Sequence, residues 1–187
     1  LLLITGVTLV GVATASAATD PMTFKDGGDY DNVAISFWLI SMAMVAATAF
    51  FFLERDNVAA KWKTSMTVAG LVTGVAAWHY FYMRGVWIST GDSPTVLRYI
   101  DWLITVPLQI VEFYVILAAV TAVAAGLFWR LLVASLVMLV FGYLGEAEIM
   151  PYLPAFIIGM AGWLYILYEI FAGEASKANA ASGNVAG

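Results

Sequence analysis

The sequence contains no cysteine, a single histidine and few charged residues. Without cysteine, this chain can form neither a disulfide framework nor a thiolate-ligated metal site. Charged residues make up 11% of it and the net charge is −5, so no basic stripe is available for binding nucleic acid. A soluble domain of 187 residues needs far more polar surface than this. The scarcities therefore exclude a soluble domain and a nucleic-acid-binding protein.

Apolar residues, by contrast, make up 63% of the chain. A composition of this kind predicts a multi-pass membrane protein built as one all-α bundle. The nine tyrosines and seven tryptophans suit both an interfacial belt and a buried aromatic pocket.

Five apolar stretches long enough to cross a membrane follow one another between residues 33 and 173. The predicted spans are about 33–53, 64–83, 95–123, 127–145 and 151–172. The second span is expected to end at Arg84 and Gly85, followed by a loop over 86–94 in which 86–88 could pair as a short strand. Pro107 inside the third span predicts a kink there.

The two ends of the chain have different compositions from the spans. Residues 1–18 form an apolar run that ends in small residues, Ala15-Ser16-Ala17, which predicts a signal peptide whose start is incomplete. The alternative is an additional membrane helix. We expect residues 19–32 to form an outer N-terminal segment, and 174–187 to begin a flexible cytoplasmic loop. The distribution of lysine and arginine favours a mature N-terminus outside the cell.

The third span carries an unusual set of polar side chains, namely Arg98, Asp101, Thr105 and Glu112. A charge near the bilayer centre costs about 2.5–3.5 kcal/mol on insertion scales, so such groups normally face a protein interior and mark an ion or proton path. Asp101 and Glu112 are about three helical turns apart and share one face. This stripe predicts stepwise proton transfer, with Asp101 kept ionised by Arg98 and Glu112 protonated at rest. The alternative is a structural Arg98–Asp101 ion pair beside a Glu112 that bonds a neighbouring helix.

Other polar residues have simpler explanations. His79, near the outer end of its span, is either a helix–helix hydrogen-bonding group or a partner of Asp101, which lies at a similar depth. Gln109 is explained by an interhelical hydrogen bond. Glu146 and Glu148 are expected in an outer loop, and Glu169 at the membrane interface.

Seven motifs, in order along the chain, resemble those of microbial rhodopsins, and most closely the proteorhodopsin branch. They are FWL, FFLERD, AKWKTS, WHYFYMRGVWI, GDSPTVLRYIDWL, LVMLVFGYLGE and PAFIIG, and the third-span pattern R-Y-x-D-W-L-x-T-x-P-L-x-x-x-E continues the fifth of them. The resemblance implies the first five transmembrane helices of a seven-helix bundle around all-trans retinal. It also implies a light-driven outward proton pump, not an enzyme, in a bacterial inner membrane, with protomers in a pentameric or hexameric ring.

The resemblance also implies a role for each matching residue. Asp101 would be the counterion and primary proton acceptor, and Glu112 the proton donor. Arg98 would organise the outer half-channel, and His79 would bond Asp101. Trp38 would reach a neighbouring protomer, and Glu146 is an outer-side carboxylate of less certain role. The residues that would line the retinal site are Trp102, Thr105, Gln109, Met138, Gly142, Phe156 and Trp163. Gln109 stands at the position that sets colour in this family, where glutamine accompanies blue absorption. No metal is implied.

One expected feature is missing. The chain's lysines are Lys25, Lys61, Lys63 and Lys177, and none lies within a predicted span. The lysine that binds retinal in this family is therefore not in this sequence, and we expect the chain to be truncated after the fifth helix. The alternatives are a sensory photoreceptor that signals through a partner, a pump for sodium or chloride, and a protein unrelated to light, either a proton-coupled transporter or a purely structural helical bundle. Glu112 disfavours the sensory receptor, and the Asp101-Thr105-Glu112 set disfavours the other ion pumps.

Overall fold

The computed structural model describes residues 31–183, which form α-helices, one 3₁₀ helix and no strand. The helices are α1 (Asn32–Glu54), the 3₁₀ helix (Ala60–Trp62), α2 (Lys63–Thr90), α3 (Thr95–Ala118), α4 (Ala125–Glu146), α5 (Tyr152–Phe171) and α6 (Glu174–Ala181). The predicted signal peptide at 1–18, and all but the last two residues of the predicted outer segment, lie outside the described residues.

The long helices form one antiparallel bundle in which each packs against its neighbours in the chain. Four segments within residues 31–183 are long and apolar enough to cross a membrane, namely Asn32–Glu54, Thr95–Ala118, Ala125–Glu146 and Tyr152–Ala181, the last of which spans α5 and α6. Helix α2 is 28 residues long but less apolar, and it packs between α1 and α3. The chain is thus an all-helical, multi-pass membrane protein.

Helix α2 runs further than the sequence predicts. It continues through the predicted loop and strand at 86–94 to Thr90, and it ends where Gly91 adopts a φ of 73°, a conformation that glycine tolerates. The prediction of an end at Arg84 was wrong because that side chain is buried. Its Nε donates to the Ala34 carbonyl 3.1 Å away, and its guanidinium lies 5.7 Å from the centre of the Trp38 ring.

Asp31 holds the same ends of α1 and α2 together. Its carboxylate caps α1 by accepting from the backbone N–H groups of Val33 and Ala34, at 3.1 and 3.0 Å. It also accepts from the indole Nε1 of Trp87, at 2.9 Å for the nearer oxygen. Arg84 and Trp87 of α2 therefore have partners in α1 and in the residue that caps it, which allows α2 to continue.

Glycines bring α4 and α5 into close contact. A Cβ added to Gly162 would lie 2.8 Å from the backbone oxygen of Ala134, and one added to Gly145 would lie 2.8 Å from the Cβ of Ala155. Small residues at such crossings allow two membrane helices to approach to backbone contact.

Helix α6 forms within the segment 174–187 that we expected to be a loop. Its first turn is stabilised by Glu169 of α5, whose carboxylate accepts from the backbone N–H of Glu174 at 2.9 Å. Its apolar side is also buried, because Ala175 is 2% exposed. Ala175 joins Ile110, Leu117, Leu127 and Leu131 in one apolar cluster. A capped start and a buried apolar side explain why these residues are helical.

Candidate functional site

The polar stripe predicted on the third span is present on α3. Asp101 and Thr105 are buried, at 2% and 5% exposure, and the Thr105 hydroxyl donates to the backbone carbonyl of Asp101 at 2.9 Å. Glu112, three turns further along the same face, is half-buried. The Oδ1 atom of Asp101 has no hydrogen-bond partner among residues 31–183. A buried carboxylate oxygen without a partner is costly, and it marks a place where a polar group of another molecule or segment would fit.

His79 approaches this carboxylate from α2. Its Nδ1 lies 3.6 Å from Asp101 Oδ1, which is longer than an ordinary hydrogen bond. The same nitrogen lies 2.9 Å from the backbone oxygen of Val75. A carbonyl oxygen can only accept, so Nδ1 carries the hydrogen of that bond. The structure therefore places His79 beside Asp101, with its Nδ1–H directed to its own helix.

Arg98 does not pair with Asp101. Its Nη2 donates to Glu146 at the end of α4, and the Thr95 hydroxyl donates to the same carboxylate oxygen at 3.0 Å. The alternative of a structural ion pair between Arg98 and Asp101 is wrong, because the guanidinium, at the start of α3, reaches across to Glu146 of the next helix. It also lies over the Trp102 ring, 5.4 Å from the ring centre. Its Nε is buried and unbonded among the described residues.

A cleft of ≈ 460 Å³ lies between α3, α4 and α5. It is lined by Tyr99, Trp102, Val106, Met138, Leu139, Gly142, Ala155, Phe156, Gly159, Met160 and Trp163. Five of the seven residues predicted to line a retinal site are among them: Trp102, Met138, Gly142, Phe156 and Trp163. The remaining lining residues were missed, although most lie three or four positions from a predicted one on the same helix face.

Thr105 and Gln109, the other two predicted lining residues, do not line this cleft. Thr105 is buried on the Asp101 face of α3. Gln109 is exposed in the described structure. It lies three positions after Val106 and seven after Trp102, so it continues the cleft-lining face of α3 by one turn. The exposed amide is therefore next to the cleft along the helix.

Trp38 lies away from the cleft, on α1. Its ring packs against Phe81 of α2, with 6.1 Å between the ring centres, as well as near Arg84. The ring is half-buried. No group of three or more histidine, cysteine or acidic side chains that could hold a metal ion is present in the part of the chain that the structure describes.

The arrangement defines a membrane-embedded helical bundle that carries two carboxylates on one helix. The buried carboxylate of Asp101, whose Oδ1 has no hydrogen-bond partner among residues 31–183, is next in the chain to Trp102 of an aromatic, apolar cleft. A second carboxylate, Glu112, lies three turns further along the same membrane helix. Residues 31–186 match the family model described as bacteriorhodopsin-like protein. The chain belongs to the bacteriorhodopsin-like family.

Within that family, the chain is similar to proteorhodopsins. It is 64% identical over 166 residues to the blue-light absorbing proteorhodopsin of Gamma-proteobacterium Hot 75m4, covering 87% of this chain and 66% of the relative. It is 65% identical over 161 residues to the green-light absorbing proteorhodopsin of Gamma-proteobacterium EBAC31A08, covering 84% and 65%. The chain thus spans slightly less than two thirds of the length of these relatives. Overall identity does not separate the two colours.

Solved structures give the same relationship. The crystal structure of the blue light-absorbing proteorhodopsin from Med12 matches with a TM-score of 0.70 and 60% identity, over 81% of this chain and 73% of that one. Xanthorhodopsin, described as a light-driven ion pump with dual chromophore, matches with a TM-score of 0.66 and 29% identity, over 75% and 63%. The helices described here therefore have the arrangement of a microbial rhodopsin.

The described residues fit retinal in one respect and not in another. The cleft is apolar and aromatic, as a conjugated hydrocarbon requires, and Asp101 offers an unpartnered oxygen. None of the lysines in the described residues lines the cleft. Lys61 lies in the 3₁₀ helix, Lys63 begins α2 and Lys177 lies in α6. Lys25 is outside the described residues. These residues can supply a wall and a counter-charge, and the covalent attachment point is not among them.

Proposed function

We propose that this chain forms part of a light-driven outward proton pump that uses all-trans retinal. The observation that carries the proposal is the buried Asp101 carboxylate, whose Oδ1 has no hydrogen-bond partner among residues 31–183. It lies next in sequence to Trp102, which lines the aromatic cleft. Membership of the bacteriorhodopsin-like family supports a retinal cofactor. When bound, retinal would supply the light-absorbing group.

In this proposal Asp101 and Glu112 have different roles because they lie at different depths along α3. Asp101 holds a proton at its Oδ1 and neutralises positive charge at the cleft while it is ionised. Glu112, about 16 Å further along the helix, gives a proton from the opposite side. His79 fixes the surroundings of Asp101 from α2. Arg98 and Glu146 close the end of the bundle beyond Asp101 with a pair that links α3 to α4.

The location and assembly of the protein are further parts of the proposal. The protein is proposed to lie in a bacterial inner membrane, as its similarity to proteorhodopsins suggests. The distribution of lysine and arginine supports an outward N-terminal side. Trp38 on α1 is proposed to contact a neighbouring protomer of a pentameric or hexameric ring. Native mass spectrometry in detergent tests this part, because Trp38→Ala should shift the population toward monomers and Trp78→Ala, at a more exposed ring on α2, serves as the comparison.

Illumination of cells that express the complete gene with added retinal tests the pump directly. The medium should acidify in the light, and a protonophore should abolish the change. Asp101→Asn should stop acidification, because the amide cannot take up the proton. Glu112→Gln should leave a slow, buffer-dependent activity, because only the proton supply is lost. Light-driven movement that persists or grows with protonophore would point to another ion, and no movement at all would contradict the proposal.

A further inference from the structure

A charged cluster lies at the end of the bundle opposite Arg98, where α4, α5 and α6 meet, and the proposed proton path uses none of its residues. Its centre is Glu169, which the sequence places at the interface but the structure buries to 5% exposure. One carboxylate oxygen accepts from the Tyr165 hydroxyl at 2.9 Å, and the other accepts from the backbone N–H of Glu174 at 2.9 Å. A buried carboxylate is stable only with such partners, so this one is committed to holding α6.

Arg130 of α4 completes the cluster. Its Nε lies 3.4 Å from the Glu169 carboxylate, and its Nη2 donates to Glu174. One guanidinium thus joins α4 to both α5 and α6. We call Arg130, Glu169 and Glu174 the latch. The Arg130 and Glu174 side chains are 44% and 42% exposed, so their part of the latch is within reach of water and screened by salt.

The other side of α6 is apolar and covers α3. Ala175 is buried in one cluster with Ile110 and Leu117 of α3, together with residues of α4. Glu112 lies between Ile110 and Leu117 in the chain and projects from a different face of the same two turns. Helix α6 therefore packs against the turns of α3 that carry the proposed proton donor, on a different face from Glu112.

We infer that α6 is a strap across the Glu112 end of the bundle, and that opening the latch lets water reach the turns around Glu112. The inference rests on the proposed function only for the role of Glu112 as donor. While the strap is closed, its apolar contacts hold the inner turns of α3 against α4. Release of the latch removes the cap from the α6 N-terminus and one side of the apolar cluster, so those turns become free to separate and hydrate.

Single-cysteine labelling tests the strap without light or retinal, because this sequence contributes no cysteine of its own. The full-length protein in lipid nanodiscs is treated with a water-soluble maleimide. Ala175→Cys reports strap opening, and Glu112→Cys reports access to the donor turns. Adding Arg130→Gln should raise both labelling rates about threefold to fivefold, since ion pairs between partly exposed side chains contribute no more than this. Arg130→Lys should raise the labelling rates less than Arg130→Gln, because lysine keeps the positive charge.

Two controls distinguish release of α6 from a general loosening of the helix bundle. Asp56→Asn removes an exposed ion pair with Lys63 at the same end of the bundle, 3.1 Å long, and should change neither rate. Ser41→Cys, 1% exposed between α1 and α2, should label as slowly with Arg130→Gln as without it.

Three outcomes would overturn the strap: unchanged labelling at 175, a rise at 175 without one at 112, or a parallel rise at 41. Failure of the pump would show instead as absent light-driven acidification with the labelling pattern intact.

Discussion

Arg98 is paired with Glu146, a residue of the neighbouring helix, and not with Asp101 one turn away on its own helix. The consequence is that the two carboxylates at this end of the bundle have different surroundings. Glu146 is 37% exposed in its side chain and bonded to a cation, whereas Asp101 is buried with one oxygen unbonded among residues 31–183.

Replacing Glu146 by Gln should therefore destabilise the bundle without touching the Asp101 site. The loss should be about 1 kcal/mol or less, because both partners are partly exposed. The thermal denaturation midpoint in detergent measures it. Glu148→Gln is the matched control, since no ion pair of Glu148 is formed within the described structure. An equal effect of both variants would contradict a specific role for the pair.

Replacing Gln109 by Leu should move the absorption maximum of the retinal-bound, full-length protein to longer wavelength. The amide lies one turn beyond the cleft-lining face of α3, where a dipole opposes the charge shift of excitation and widens the energy gap. Absorption spectroscopy of the purified protein measures the change. Thr48→Val, between α1 and α2, should leave the spectrum in place. An unshifted Gln109→Leu spectrum would rule out the assignment of colour to this residue.

Replacing Gly162 by Ala should weaken the contact of α4 with α5. The added methyl group would meet the backbone oxygen of Ala134 at 2.8 Å, and a backbone atom cannot move aside without shifting a helix. We expect a loss of about 1–3 kcal/mol, measured by denaturation. Gly85→Ala is the control, because nothing lies within 4 Å of its added methyl group and helix propensity favours alanine by about 1 kcal/mol. Equal stability of the two variants would contradict the close crossing.

Replacing Glu148 by Asn should stabilise the connection after α4. Glu148 has a φ of 57°, a left-handed conformation that costs an ordinary residue roughly 1–2 kcal/mol and that asparagine adopts more readily. We expect a gain of about 0.5–1 kcal/mol in unfolding free energy. Glu148→Val should lower stability instead, because a β-branched residue tolerates this conformation poorly. Stabilisation by valine would contradict the argument.

The sequence was sufficient to predict the features that depend on hydropathy and on sequence motifs. Hydropathy predicts the five long helices, and the motifs around Asp101 identify the family. It was insufficient where a side chain finds its partner on another helix. Arg84 ends a helix in a linear analysis, but in the bundle its charge is satisfied by a carbonyl of α1, so α2 continues. Arg98 and Glu169 show the same limit, because Glu146 and Arg130 are distant in the chain. Spacing along one helix could not identify those partners.

The glycines of the α4–α5 crossing have a consequence beyond packing. Gly142 and Gly159 also line the cleft, and a methyl group added to Gly142 would lie 3.0 Å from the hydroxyl oxygen of Tyr99, another lining residue. The distance at which the helices touch therefore sets the thickness of whatever lies between them. We expect a cleft of this kind to admit a flat, conjugated molecule more readily than a bulky one of equal volume. In the proposed retinal site, the close approach of the backbones of α4 and α5 would then limit which ligands fit.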